Sequence, residues 1–254
     1  IAVKYLRPPA DGGPVRAVFQ VAPTAGSATI YTVEIPVAPG ELVPENNRRS
    51  VLVQPPSRTR RVLLVEGAPG FEHSFLKRAL MGDRGLEVDS VVRKGKNEQG
   101  QDTYYIQAVR GRAKALESGY PGSAEDLFVY DAIVMANLAS GQLTSTQMEM
   151  TREFVARRGG GLLVMGAQSF LSRGLVGTPI EDTLPVELNR RADVAWPASP
   201  SRGINRVPLT DAGYQHPVTQ LAATAEDTRT RWDALPALAS ASLVGAARPG
   251  AAVL

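Results

Sequence analysis

Arg61-Val62-Leu63-Leu64-Val65-Glu66, followed at once by Gly67-Ala68-Pro69-Gly70, decides the fold. Four apolar residues in a row between charges mark a strand covered on both faces, as in a parallel sheet. The Gly-Ala-Pro-Gly stretch is turn chemistry. After it Phe71, Phe75, Leu76, Ala79 and Leu80 fall at helical spacing, and Gly82 and Gly85 punctuate the end of that stripe. Leu86 to Val92 then reads as a second strand. The unit is strand, helix, strand.

The same unit recurs downstream. Tyr130-Asp131-Ala132-Ile133-Val134-Met135-Ala136-Asn137 is a third, buried strand. Thr144 with Gln147 three residues on forms a capping box, and Leu143 can staple to Met148. That helix runs through Phe154 and Val155 to Arg158, where Gly159-Gly160-Gly161 stops it. Leu162-Leu163-Val164-Met165 is the fourth strand, ending at Gly166. Repeated strand–helix–strand units predict a doubly wound α/β fold with a mostly parallel sheet. Residues 93–126 read as a long polar insertion, of a length often functional or mobile. The tail holds a strand candidate at Ile204 to Leu209, a helix near Glu226 to Ala234 and a strand start at Ala251 to Leu254.

Upstream the period is two. Val15 to Val21, Ala28 to Ile35 and Ser50 to Val53 predict three or four antiparallel strands, too few for a whole sandwich and with an open edge. Gln54-Pro55-Pro56-Ser57-Arg58 is a linker signal. The expected division is a partial β module over 1–56 and an α/β domain over 57–254.

Composition narrows the chemistry. The 254 residues carry no cysteine, which removes thiolate nucleophiles, disulfides and Cys-ligated metals. Two histidines, without H-x-x-x-H or H-E-x-x-H spacing, predict no metal site and no cofactor. The net charge is +3, and the 23 arginines are scattered among acids, so nucleic acid is not an expected partner.

Open parallel sheets bind ligands at the carboxyl ends of their strands. That places Glu66, Gly67, Asn137, Gly166, Ala167, Gln168 and Ser169 in a pocket. Gly67-Ala68-Pro69-Gly70 matches neither phosphate-binding glycine motif, and Pro69 removes a donor. A nucleophile elbow needs small residues on both sides, and Ser169 comes one position late, before Phe170 and Leu171. The candidate bases are His73 and His216, and the candidate acids are Glu66, Asp131, Asp182 and Asp211. No catalytic residue is assigned. Glu181-Asp182 reads as a helix-start or turn pair, not a general acid/base couple.

The span from Arg61 through Gly166-Ala167-Gln168-Ser169-Phe170, Gly177-Thr178-Pro179-Ile180-Glu181-Asp182 and Leu184-Pro185-Val186 resembles the class I glutamine amidotransferase-like domains. More narrowly, it is similar to those of bacterial membrane proteins that also carry a von Willebrand factor A region. His216-Pro217-Val218, Trp232-Asp233-Ala234-Leu235-Pro236 and Arg248-Pro249-Gly250-Ala251 extend the resemblance. The N-terminal part, with Pro39-Gly40-Glu41 and Glu45-Asn46-Asn47, resembles the end of an immunoglobulin-like adhesion module.

The resemblance implies a flavodoxin-like sheet and a domain that continues past Leu254. It also implies a Cys on the elbow, at Ala167 or Gln168 here, and a His-x-Glu pair that appears as His216-Pro217-Val218. The nucleophile and acid are missing, so no glutaminase is expected. The first expectation is a non-catalytic module in the extracytoplasmic part of a membrane-anchored protein. It would bind a protein or small-molecule ligand and could dimerise through its β edge. The second is a hydrolase of the trehalose-utilisation type using Glu66, Asn137 and Gln168, with His216 a further candidate. The third is a spacer whose pocket is plugged by Phe170, Leu171 or residues 93–126.

Overall fold

The computed structural model describes residues 2–7, 9–10, 12–19, 21, 29–53, 58–188, 206–238 and 244–254. The chain divides into two compact units, residues 1–59 and 60–254.

In the first unit β1 (Thr29–Glu34) pairs antiparallel with β2 (Arg48–Val53), Thr29 facing Val53 and Glu34 facing Arg48. The hydroxyls of Thr32 and Ser50 meet across the pair at 2.9 Å. The connection is tied by Glu41, whose Oε2 accepts from the Ala38 N–H at 3.0 Å and from Asn47 Nδ2 at 2.8 Å. No residue of either strand is buried. The expected strand at Val15 to Val21 is absent: Val15–Phe19 and Val21 have no regular structure, and Gln20 lies outside the described residues. Alternation alone does not make a strand. The backbone groups need a neighbouring ladder, and none forms there.

The second unit holds a five-stranded mixed sheet of β3 (Arg60–Glu66), β4 (Leu86–Lys96), β5 (Asp102–Gln107), β6 (Ala132–Ala136) and β7 (Gly161–Met165), in the order β5-β4-β3-β6-β7. β3 is central, parallel to β4 and β6, and β6 is parallel to β7. Every residue from Val62 to Glu66 is buried, as its unbroken apolar run requires. Alternate residues serve opposite faces. Leu63, Val65, Ile133 and Met135 join Met150 and Phe154 of α4 (Ser145–Ala156) in the main core. Val62, Leu64 and Val134 meet Leu76 and Leu80 of α1 (Phe71–Met81) on the other face. α4 starts at the expected capping box: the Thr144 hydroxyl accepts from the Gln147 N–H, and Gln147 Oε1 accepts from the Thr144 N–H at 2.9 Å.

Residues 93–126 are not a plain insertion. β4 continues to Lys96, turns at Asn97–Gly100 and returns as β5, antiparallel, at the sheet edge. Short helices α2 (Arg110–Ala113) and α3 (Ala124–Leu127) follow. Polar residues are tolerated because an edge strand has one open side. In the tail α5 (Asp211–Gln215) and α6 (Ala225–Asp233) form, the latter where a helix was expected. Residues 206–209 and 251–254 are not strands, and Ile204 lies outside the described residues. The tail pairs with residues 185–187 at an antiparallel bridge, Val186 with Ala247.

Candidate functional site

The chain leaves β3 for β4 on one side and later places β6 on the other. Crossovers diverge at that point, which is where open α/β sheets place a ligand crevice, beyond the carboxyl ends of β3 and β6. Glu66 ends β3, Asn137 follows β6 and Gly166 follows β7. Three expected residues, Gly67, Asn137 and Gly166, come together there, tightly packed. A Cβ on Gly166 would sit 2.3 Å from Asn137 Oδ1, and one on Gly67 would sit 2.5 Å from the Asn137 carbonyl oxygen. Gly166 has φ +81°, and Asn137, at φ 47°, is the one non-glycine residue with positive φ among the described residues. Asn tolerates that left-handed conformation better than most side chains. Gln142, which sequence reading missed, closes the corner. Its Nε2 donates to the Gly67 carbonyl at 2.8 Å, and its Oε1 accepts from the Ala139 N–H at 2.9 Å.

The bend after β7 falls at Gly166, one or two residues before the elbow expected at Ala167 or Gln168. Ala167 to Phe170 then form a single 3-10 turn, with Ala167 exposed and Gln168 half-buried. Ser169 is fully buried. Its hydroxyl donates to the Met165 carbonyl at 2.9 Å and accepts from the Leu138 N–H at 3.0 Å. Both roles of the hydroxyl are committed to backbone. Phe170 packs against the main core.

The two histidines part company. His216 stands exposed, its Nδ1 accepting from the Val218 N–H at 3.2 Å, so its ring caps its own turn. His73 is 5% exposed in the first turns of α1. Its Nδ1 lies 3.1 Å from Glu66 Oε2, off the line a hydrogen bond needs, and its Nε2 lies 3.2 Å from Ser90 Oγ. Glu66 is 3% and Ser90 1% exposed. Burial lowers the His73 pKa below its ordinary value, and the nearby Lys77 ammonium lowers it further. Burial also lowers Lys77, whose ammonium donates to Gln107 on β5.

Hydroxyl, imidazole and carboxylate thus stand in the order of a nucleophile relay. Ser90, however, sits in mid-strand opposite Leu64, beneath α1 and sealed from solvent. As it stands the cluster pins α1 to the sheet. The sequence signal for it was a polar pair, Asp89-Ser90, inside an apolar strand. Asp89 points to the opposite face, fully buried, where Tyr130 donates to it at 2.8 Å, the Val109 N–H at 3.1 Å and Arg112 through two nitrogens. The Asp89 carboxylate pushes the Arg112 pKa up, and burial pushes Tyr130 up.

Away from the strand ends lies a cleft of about 460 Å³, lined by Glu149, Arg152, Thr178, Pro179, Asp182 and Arg248 among others. Glu181 and Asp182 lie in a 3-10 turn, as their sequence setting implied. The Glu181 carboxylate holds the loop, accepting from the N–H groups of Gly177 at 2.5 Å and Leu188 at 3.0 Å. Among the described residues, no cluster of three or more His, Cys, Asp or Glu side chains could hold a metal ion. No helix of the described residues is long and apolar enough to cross a membrane. No protein-family model matches the chain, and no curated protein matches it either.

Proposed function

We infer that residues 60–254 form a non-catalytic, class I glutamine amidotransferase-like module of flavodoxin-like topology, serving ligand sensing or partner recognition. The observation that carries the reading is the state of the bend after β7. Ala167 and Gln168 supply no nucleophile, and the Ser169 hydroxyl is spent on Met165 and Leu138. The strand order, with crossovers diverging between β3 and β6, supports the topology. In this reading the first unit is the end of an immunoglobulin-like module whose open edge accepts a second copy. The whole lies outside the cytoplasm in a membrane-anchored bacterial protein. The test is ammonia release from glutamine by the purified chain. The expected rate equals the protein-free blank, and sustained turnover overturns the reading.

One observation favours a hydrolase of the trehalose-utilisation type instead: the His73 imidazole touches both a carboxylate and a hydroxyl. Under that reading, which works through the strand-end residues Glu66, Asn137 and Gln168, Glu66→Gln abolishes turnover of a glycoside or ester panel while the fold persists. Under the first reading no member of the panel is turned over by either protein.

A further inference from the structure

The outer surface of α1 is unusual for a solvent-facing helix. Phe71 is 85%, Phe75 65% and Met81 63% exposed. Phe71, Phe75 and Arg78 follow one another at helical spacing, with the Arg78 guanidinium over the Phe75 ring, 5.9 Å from its centroid. The surface continues onto the sheet edge. Lys77 of α1 donates to Gln107, and Tyr105, two residues away on β5, shares the face of Gln107. Tyr105 is 48% exposed, with the Lys94 ammonium 5.5 Å from its ring centroid. Lys96 ends β4 further along, opposite Asp102.

Lys77 and Lys94 therefore lie close to the exposed aromatic rings, and Lys96 follows two residues beyond Lys94 on β4. Two of the acids near them are engaged, while Glu98 stands exposed in the turn beyond Lys96. Asp102 pairs with Arg93 at 2.6 Å, and Asp83 accepts from the Gly85 N–H at 2.7 Å. Among the described residues, Arg78, Lys94 and Lys96 make no ion pair. Large rings at the tips and unpaired cations between them complement a surface with an apolar interior and an anionic skin.

We propose that the face formed by Phe71, Phe75, Arg78, Tyr105 and Lys94 docks on an anionic lipid surface. The rings enter the acyl boundary, and the cations meet headgroup phosphates. The proposal stands on surface chemistry alone and does not rest on the amidotransferase-like reading. The cations form a small local cluster, with no extended basic stripe among the described residues, which favours a lipid surface over a nucleic-acid track.

The test is co-sedimentation of the whole chain with vesicles of equal parts phosphatidylglycerol and phosphatidylcholine, against vesicles of phosphatidylcholine alone. Binding is expected only to the anionic vesicles and to weaken as salt is raised. The double variant F71S/F75S lowers the partition coefficient by roughly tenfold or more, from the lost apolar area. The double variant K94Q/K96Q lowers it by a similar order. All four positions are on the surface, and unchanged circular dichroism confirms the folds. Because the chain lacks cysteine, Ser74→Cys gives one labelling site beside the rings. A polarity-sensitive dye there shifts to the blue on binding. No binding, binding equal on neutral vesicles, an unshifted dye, or indifference to both double variants overturns the proposal. So does uptake of a single-stranded oligonucleotide through the same residues with none of the vesicles.

Discussion

His73 Nδ1 lies 3.1 Å from Glu66 Oε2, with both side chains beneath the surface and Ser90 on the far side of the ring. A seven-residue step in sequence thus carries a titratable pair from a strand end to the helix that covers it.

The first prediction concerns pH. Burial and Lys77 lower the His73 pKa in the folded chain, whereas the unfolded chain keeps the ordinary value near 6.5. Below that value the unfolded state binds the extra proton first. The stability contributed by neutral His73 is therefore complete above pH 6.5 and is lost as pH falls from there through the folded-state value. Urea titrations along that range should show the midpoint falling with pH, and His73→Gln should flatten the slope. An equal slope in the variant refutes the assignment.

Ser169→Ala tests whether that hydroxyl is architectural. It strands the buried Leu138 N–H and frees the Met165 carbonyl. A cost of about 1–3 kcal/mol in chemical denaturation is expected, the range for a buried group left without its partner. A loss near zero would mean that the corner relaxes around the missing oxygen.

The packed strand ends make a third case. Gly166→Ala drives a methyl to 2.3 Å from Asn137 Oδ1 at a backbone of φ +81°, so it should destabilise by about 2 kcal/mol or more. Asn137→Gly relieves the positive φ and removes the obstructing side chain, and alone should be neutral or stabilising by up to about 1 kcal/mol. In the double variant the two effects should couple, the alanine costing less than it does alone. Strict additivity in a thermal-melt cycle would contradict the packing.

Arg112→Leu leaves the fully buried Asp89 carboxylate with only Tyr130 and the Val109 N–H. Removing one partner of a buried ion pair costs about 3–5 kcal/mol. Asp89→Asn in the same background should return much of it by removing the uncompensated charge. The readout is the denaturation midpoint of the three variants.

Much of the α/β unit was legible because its signals are local. The unbroken run Val62–Val65 reports burial on two faces, and Thr144 with Gln147 writes the start of α4 into four consecutive residues. The β5 hairpin was not legible, since an edge strand may keep polar residues on its open side. Val15–Val21 failed in the opposite way, with the right alternation and no ladder to join.

The site divides along the same line. Which residues end strands follows from the pattern of apolar runs, so Glu66, Asn137 and Gly166 could be placed at one edge from residue order alone. Which polar groups meet depends on register and on depth, and both are set by packing between distant segments. Pairing of Leu64 with Ser90 brings that hydroxyl under His73, and the crowding of Asn137 against Gly166 closes the corner where a pocket was expected. A periodicity of two or of 3.6 says which side a residue faces. It carries no information about what waits there.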